Sequence, residues 1–383
     1  MLLIKNALVY RNESHDFHAT DILCDGEKII KMTRRGEMSF DGIDVFDAND
    51  MAIIPGFVDV HTHGRSGYDF VSCGADALHT MARDYASHGV TTVMPTLASA
   101  PYDVMLGAAK NIGDFSPNAD EANFCGVHIE GRYLNPKKKG AHAEELLAPL
   151  CADELEDPVW KSLNALHISA AFELDVDGSF ANAAKEMGAT MSLGHTNATY
   201  AEAKRAEECG VTAYTHLFNA MPALHHREGG AVCACLTGDA FAELICDGIH
   251  IAPEMVRLAY QCKRAEKLAL ISDSMEATGS ADGEYSIAGN PVTVKNGKAL
   301  THDGALAGST LTLDEAVQNL MDFCKIPLSE AVICATEAPA REVGIFDECG
   351  SIDIGKRADM IFVDVDENKL KIRKIMLRGS FIN

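Results

Sequence analysis

Two histidines stand two positions apart in the segment PGFVDVHTHG. Side chains two residues apart on a β-strand point to the same side, so the imidazoles of His61 and His63 can hold one metal ion. The spacing is weak evidence by itself, because an isolated His-x-His also occurs in ordinary polar packing. The pair indicates a metal site only if further donors meet it.

Several other apolar segments also end in an ionisable residue. GVHIEG, MSLGH, AYTHLFN and LALISDS end at or next to Glu130, His195, His216 and Asp273. The strand ends of a barrel enzyme form its active-site face, so these residues would converge there. Taken singly, each residue also has an ordinary explanation. A histidine is usually a hydrogen-bonded or surface group, and Glu130 could equally form an ion pair with Arg132. Asp273 could equally be the N-cap of a following helix. Their shared placement predicts a centre for zinc, iron, manganese or cobalt, with Asp273 as an acid and base beside it.

The segments that must position these residues follow a regular order. The first fifty and the last thirty residues read as short strands separated by Gly and Asp turns. From Ile53 to about Gly344, short apolar strands alternate with helical patterns, which is typical of a parallel sheet. We expect an α/β fold: a (β/α)8 TIM-like barrel over residues 54–345, and a small β-sandwich domain formed by both chain termini, residues 1–53 and 346–383. The Gly- and Asp-rich segment Ser280 to Asp303 is expected to be a long excursion or hairpin within the barrel.

Composition sets limits on the function. The 383 residues are 47% hydrophobic and 23% charged, the ordinary globular range. A net charge of −23 argues against nonspecific binding to nucleic acid or to an anionic membrane surface. We find neither a signal peptide nor an apolar run of membrane-spanning length, and the twelve cysteines are scattered. These features favour a cytoplasmic protein without disulfides.

The chain resembles the N-acetylglucosamine-6-phosphate deacetylase family of amidohydrolases. The resemblance is carried, in order, by PGFVDVHTHG, GVHIEGRYLNPKKKGAH, SLGHTNATYAEA, THLFNAMPALHHREGG, CDGIHIAPEMVRLA, ISDSMEATG and LAGSTLTLDEAVQNL. His-Thr-His and the tail APAREVGIFDECGSIDIGKRADMIFVD are typical of amidohydrolases in general. THLFNAM followed by HHRE, with HIEG and DGIH, points to the deacetylases.

The resemblance implies hydrolysis of the N-acetyl group of N-acetylglucosamine 6-phosphate to glucosamine 6-phosphate and acetate. It implies one or two divalent metal ions per subunit, zinc first, with iron, manganese or cobalt as alternatives. The family's catalytic positions correspond to Asp273, the proton carrier, and His142, which polarises the amide carbonyl. The implied metal ligands are Glu130, His195 and His216, joined in two-metal members by His61 and His63.

The same resemblance implies an amino-sugar phosphate as the small-molecule partner. Arg227 would reach the site of a neighbouring subunit, which implies a homodimer, although in isolation it reads as a surface residue. The other implied substrate-binding residues are Ala141, His142, Asn219, Ala220, His250, Leu306, Ala307 and Gly308. The family usually has proline after HxEG, whereas this chain has Arg132, which would add an anion contact or shift the substrate preference.

Three alternatives stay open at this point. The first is an amidohydrolase for a related substrate such as N-acetylgalactosamine 6-phosphate. The second is an amidohydrolase that acts on a different amide or on a base, for which a phosphate site would have no use. The third is a non-catalytic sugar-phosphate sensor, against which Asp273 counts because a sensor needs no proton carrier.

Overall fold

The computed structural model describes residues 1–38, 42–366 and 369–382, and only the backbone at 365 and 366. Its strands are β1 Leu2–Arg11, β2 Asp16–Asp25, β3 Lys28–Arg34, β4 Asp44–Asp47, β5 Ala52–Pro55, β6 Phe57–Thr62, β7 Gly64–Arg65, β8 Tyr68–Asp69, β9 Val90–Ala98, β10 Asn123–Phe124, β11 Val127–Glu130, β12 Leu166–Ala170, β13 Thr190–Leu193, β14 Ala213–Tyr214, β15 Phe241–Ile245, β16 Leu268–Ile271, β17 Gly283–Ile287, β18 Asn290–Lys295, β19 Lys298–Thr301, β20 Met360–Asp366, β21 Lys369–Leu377 and β22 Ser380–Ile382.

The helices connect the strands of the central region. They are α1 Ala75–Ser87, α2 Tyr102–Gly113, α3 Ala152–Leu155, α4 Pro158–Lys161, α5 Ser179–Glu186, α6 Tyr200–Glu208, α7 Gly230–Thr237, α8 Pro253–Lys263, α9 Leu313–Cys324, α10 Leu328–Cys334 and α11 Glu337–Glu342, with short 3-10 turns at Pro136–Lys138, Glu144–Leu146, Phe172–Leu174 and Ala265–Lys267. Within the described ranges, no helix combines the length and the apolar character that crossing a bilayer requires.

Eight parallel strands form the barrel. Around it they run β6, β9, β11, β12, β13, β14, β15 and β16. The first and last are joined just past their carboxyl ends, where Asp273 N–H donates to His61 O at 2.9 Å and His63 N–H donates to Ser274 O at 2.8 Å. Because helices cover the outside, the strands are buried on both faces and read as nearly continuous apolar runs. The predicted (β/α)8 fold is confirmed.

Both chain ends build the second unit. Strands β22, β21, β20, β5, β1, β2 and β3 are neighbours in this order in one sheet, and β4 pairs with β1. The sheet has its own apolar core, in which Ile4 and Ile53 from the first part of the chain meet Phe362 and Met376 from the last. The small β domain formed by both termini is therefore confirmed. The boundaries at 53/54 and 345/346 stay a prediction.

The excursion between Ser280 and Asp303 is a three-stranded antiparallel sheet of β17, β18 and β19, which confirms the expected hairpin. Its apolar side packs against Met275 and Ala307. It also contacts the loop after β11, since Asn290 Nδ2 donates to Ala141 O at 2.6 Å. The excursion thus covers the carboxyl ends of the barrel strands, where the ionisable residues lie.

Candidate functional site

Glu130, the last residue of β11, lies at the centre of four imidazoles. Its Oε1 atom is 3.1 Å from His195 Nε2 and 2.8 Å from His216 Nε2. Its Oε2 atom is 3.0 Å from His63 Nε2 and 3.4 Å from His61 Nε2. One carboxylate therefore faces two histidine pairs, with a different oxygen toward each. With Glu130, each pair forms a group of donors close enough together to hold a metal ion.

The donors themselves fit a divalent metal. His195 and His216 bring their Nε2 atoms within 3.1 Å of each other and of Glu130, a close approach of ring nitrogens that a shared cation would stabilise. His195 Nδ1 lies 2.8 Å from Lys138 O, which can only accept, so its proton is on Nδ1 and Nε2 is free to bind a metal. His61 Nε2 is buried and has no hydrogen-bond partner among the described residues. These side chains can hold a metal ion.

A second layer of buried polar groups supports the first. Glu243, in the middle of β15, is 0% exposed, and its Oε2 lies 2.8 Å from His61 Nδ1. Behind it lie His167, whose Nε2 is 3.6 Å from Glu243 Oε1, and Glu342 of α11. Burial, and then the charge of Glu243, raise the pKa of Glu342 well above its usual range. This shift favours the protonated form of Glu342, whereas the pKa of Glu243 is lowered despite its burial, first by the charge of His61, so the negative charge that faces His61 is on Glu243.

Asp273 follows β16 and faces the first histidine pair. Its Oδ1 lies 3.3 Å from His63 Nε2 and 3.7 Å from His61 Nε2. Burial would raise its pKa, but the hydrogen bond from His63 and the nearby imidazole charges outweigh burial and lower it. A carboxylate at this place can accept a proton from a water held between it and the histidines.

The backbone at these strand ends is unusual. His195, His216 and Asp273 have φ of 44°, 31° and 47°, in the left-handed region that residues other than glycine rarely adopt. Such conformations persist only where the surrounding structure enforces them, and they cluster at functional sites. The backbone thus provides evidence for a functional site that is independent of residue type.

His142 approaches Glu130 from the loop after β11. It is 5% exposed, and its Nε2 lies 3.8 Å from Glu130 Oε2. Burial, and next the charge of His195, lower the pKa of His142 to about 3, so its ring is neutral at physiological pH. Its Nδ1 lies 2.8 Å from Ser99 Oγ.

A cavity of about 260 Å³ opens beside these groups. His250 lines it, with Nδ1 held 2.7 Å from Asp247 Oδ2, so Nε2 is left as the acceptor. The lining residues are His63, Glu130, Gly140, Ala141, His142, His195, His216, Asn219, Ala220, His250, Asp273, Ile287, Ala288, Ala305, Leu306 and Gly308. His61 lies just beneath, in contact with Glu130. The structure thus brings together nearly all of the predicted site residues.

Two predicted substrate contacts do not line this cavity. The buried Ala307 turns its backbone N–H toward Ala299 O, at 3.1 Å. Arg227 is exposed in a separate groove with His226, whose Nε2 lies 2.8 Å from Arg227 Nη1. A role for Arg227 at the site therefore requires a second subunit.

Arg132 also points elsewhere. Its Nη2 lies 2.9 Å from Glu154 Oε1, and its guanidinium lies 5.2 Å from the Tyr102 ring centroid. The side chain is paired with Glu154 and does not line the described cavity, which counts against the expected anion contact. A shift of substrate preference stays a prediction.

The residues that support the site from behind were not predicted from the sequence. Glu243 carries a detectable signal, a single acid inside the apolar strand FAELI, where an unpaired charge would be costly. Ser99 carries none, because a serine after a strand is ordinary. Gly140, Ile287, Ala288 and Ala305 line the cavity through loops whose positions the sequence does not predict.

Comparison with known proteins gives a consistent result. Residues 52–382 match the model of the Amidohydrolase family. The chain is 32% identical to an N-acetylglucosamine-6-phosphate deacetylase of Vibrio furnissii, over 97% of this chain and 96% of that one. It is 33% identical to an N-acetylgalactosamine-6-phosphate deacetylase of Escherichia coli O157:H7, over 88% and 89%.

A solved structure agrees with these matches. It is a mutant N-acetyl-D-glucosamine-6-phosphate deacetylase from Mycobacterium smegmatis in complex with N-acetyl-D-glucosamine-6-phosphate. The present chain superimposes on it with a TM-score of 0.87 and 26% identity, over 99% of this chain and 98% of that one.

Proposed function

The chain belongs to the amidohydrolase family, and from its site we infer that it hydrolyses the N-acetyl group of N-acetylglucosamine 6-phosphate. The products are glucosamine 6-phosphate and acetate, and the reaction is a step of amino-sugar catabolism. One observation carries this inference: Glu130 lies between two histidine pairs, with Asp273 3.3 Å from His63, in a chain similar along its length to such deacetylases.

We assign the metal to the two histidine pairs and the carboxylate between them. A bound divalent ion would supply Lewis acidity, which lowers the pKa of water from ~15.7 toward ~7. Because both pairs are present, we propose two ions per subunit. Zinc is the preferred assignment, and iron, manganese or cobalt are alternatives that the same donors accept. The ligands are His61, His63, Glu130, His195 and His216.

The other residues move protons and stabilise charge. Asp273 takes a proton from the attacking water and then gives it to the departing amine nitrogen, in line with its position beside His63. The neutral His142 donates a hydrogen bond to the amide carbonyl oxygen, which becomes negative as the water adds. His250 offers Nε2 as an acceptor for a sugar hydroxyl. Burial of these groups strengthens each interaction.

The phosphate needs a cation that a single chain does not place in the cavity. None of the described lining residues is Lys or Arg, whereas a phosphate group favours the forked guanidinium of arginine. We propose that Arg227 of a second subunit supplies this cation, with Asn219 and Ala220 as further donors. The working enzyme is then a homodimer. We place it in the cytoplasm, since all twelve cysteines are free thiols.

The test is acetate release by the purified protein, with metal analysis of the same sample. N-acetylglucosamine 6-phosphate should be hydrolysed much faster than unphosphorylated N-acetylglucosamine. Equal rates on the two would contradict the phosphate site, and no acetate from either would contradict the function. N-acetylgalactosamine 6-phosphate, assayed in parallel, should be the poorer substrate. A higher kcat/KM for it would show that the galactosamine derivative is the preferred substrate.

A further inference from the structure

Ser99, the first residue after β9, is packed against the His142 ring. It is 2% exposed, and its Oγ lies 2.8 Å from His142 Nδ1. Its backbone N–H donates to the same Nδ1 at 3.4 Å. Two groups of one residue therefore meet one ring nitrogen, on the side of His142 opposite the Nε2 atom that faces Glu130.

The direction of these hydrogen bonds follows from the backbone N–H of Ser99. The Arg132 backbone N–H donates to Ser99 Oγ at 2.8 Å. The hydroxyl oxygen has a second lone pair, so this contact alone would let Ser99 Oγ either donate to His142 Nδ1 or accept from it. The Ser99 backbone N–H can only donate. Nδ1 must therefore carry the lone pair, the Ser99 hydroxyl donates to that same nitrogen, and the ring proton lies on Nε2.

We propose that Ser99 is a positioning residue that holds His142 as the Nε2–H tautomer, so that this ring donates to the carbonyl oxygen of the substrate amide. The inference rests on the proposed function and deepens it. The opposite tautomer would present a lone pair to the oxygen and repel the negative charge that develops there. A donor fixed before the reaction begins requires no reorganisation when that charge forms.

Two neighbouring backbone features make the contact possible. A Cβ atom on Gly131 would lie 2.5 Å from Ser99 N, so only glycine allows the loop after β11 to approach Ser99 this closely. The next residue, Arg132, has φ of 48° and provides the N–H that reaches Ser99 Oγ. Proline, which fixes φ near −65° and has no N–H, could not make this contact at position 132. The contact therefore depends on Gly131 and on the backbone of Arg132.

The first experiment compares Ser99→Ala with the wild type. We expect kcat to fall about tenfold, because the retained backbone N–H still favours the same tautomer and the loss stays below the roughly 10²–10³ of a missing oxyanion donor. KM and metal content should not change, since Ser99 is not among the described residues that line the cavity and its side chain hydrogen-bonds to His142 and to the Arg132 backbone rather than to a metal-binding residue. Ser351→Ala is the matched control: it removes a buried hydroxyl that has no hydrogen-bond partner among the described residues. An unchanged kcat in Ser99→Ala would overturn the proposal.

A double variant separates positioning from general damage. In a His142→Gln background, Ser99→Ala should cause no further loss of kcat, because the ring on which it acts is gone. Losses that multiply would overturn the proposal.

A third measurement does not depend on turnover. Nitrogen-15 NMR of wild-type protein labelled in histidine, with a His142→Gln sample to assign the resonance, should show His142 protonated on Nε2. Protonation on Nδ1 would overturn the proposal. Because this result is independent of the substrate, an inactive protein would contradict the proposed function without deciding the tautomer.

Discussion

His61 Nδ1 and Glu243 Oε2 lie 2.8 Å apart in the barrel interior, and both side chains are 0% exposed. The carboxylate can only accept, so the contact places the His61 proton on Nδ1 and turns the Nε2 lone pair toward Glu130. A histidine so oriented is ready to bind a metal before the metal arrives.

Replacing Glu243 should therefore weaken metal binding. We expect Glu243→Gln to lower the affinity for the ion held by His61 and His63 by roughly 10–100-fold, measured by metal content after competition with a chelator. Glu121→Gln is a matched control, because Glu121 is also 0% exposed and lies 2.8 Å from a histidine Nδ1, that of His79, outside the site. The same chelator resistance in Glu243→Gln as in wild type would contradict the assignment.

Glu342 should make stability depend on pH. Burial and Glu243 raise the pKa of Glu342 above 4.5 in the folded protein, so folding takes up a proton at pH values between 4.5 and this raised pKa. The contribution of this proton to the free energy of unfolding is fully present below pH 4.5 and is lost as pH rises through the pKa of Glu342 in the folded protein. Glu342→Gln removes this dependence and should raise the free energy of unfolding more at pH 8 than at pH 5, as measured by urea unfolding. An equal effect at both pH values would show that Glu342 is not protonated on folding.

Asp273→Asn tests the proton carrier. The amide cannot accept a proton from water, so kcat should fall by roughly 10²–10⁴. The five other donors remain, so metal content should stay near the wild-type value. Steady-state acetate release and metal analysis are the measurements. Near-normal turnover would refute the assigned role.

Mixed dimers test Arg227. A His195→Ala subunit and an Arg227→Ala subunit should each be inactive or nearly so as homodimers. In a heterodimer, the site with an intact His195 receives Arg227 from the other subunit, so one of its two sites is complete. Activity should therefore reappear in purified heterodimers carrying two affinity tags. No recovery there would argue against an arginine shared across the interface.

Arg132→Ala tests whether this residue selects the substrate. Its guanidinium pairs with Glu154 and does not line the cavity, so KM for N-acetylglucosamine 6-phosphate should not change. Loss of a partly buried ion pair should lower the free energy of unfolding by about 1 kcal/mol. A clear rise in KM with an unchanged free energy of unfolding would show that Arg132 contributes to substrate binding.

The sequence by itself determined the architecture and most of the donors. Alternating apolar strands and helices predict a barrel because each strand must be buried on both faces. The strand-end positions of His61, His63, Glu130, His195 and Asp273 follow from that pattern, because a barrel brings all its strand ends to one face.

Only the tertiary structure decided how these donors are held. That Glu130 presents a different oxygen to each histidine pair depends on distances between strands remote in sequence. The support of His61 by Glu243 and of His142 by Ser99 depends on contacts across 182 and 43 positions. The Arg132 side chain points away from the cavity because it pairs with Glu154, and the short helix that carries Glu154 cannot be positioned from local sequence pattern. Local propensity predicts the strands and their ends, whereas the second layer arises from packing between them.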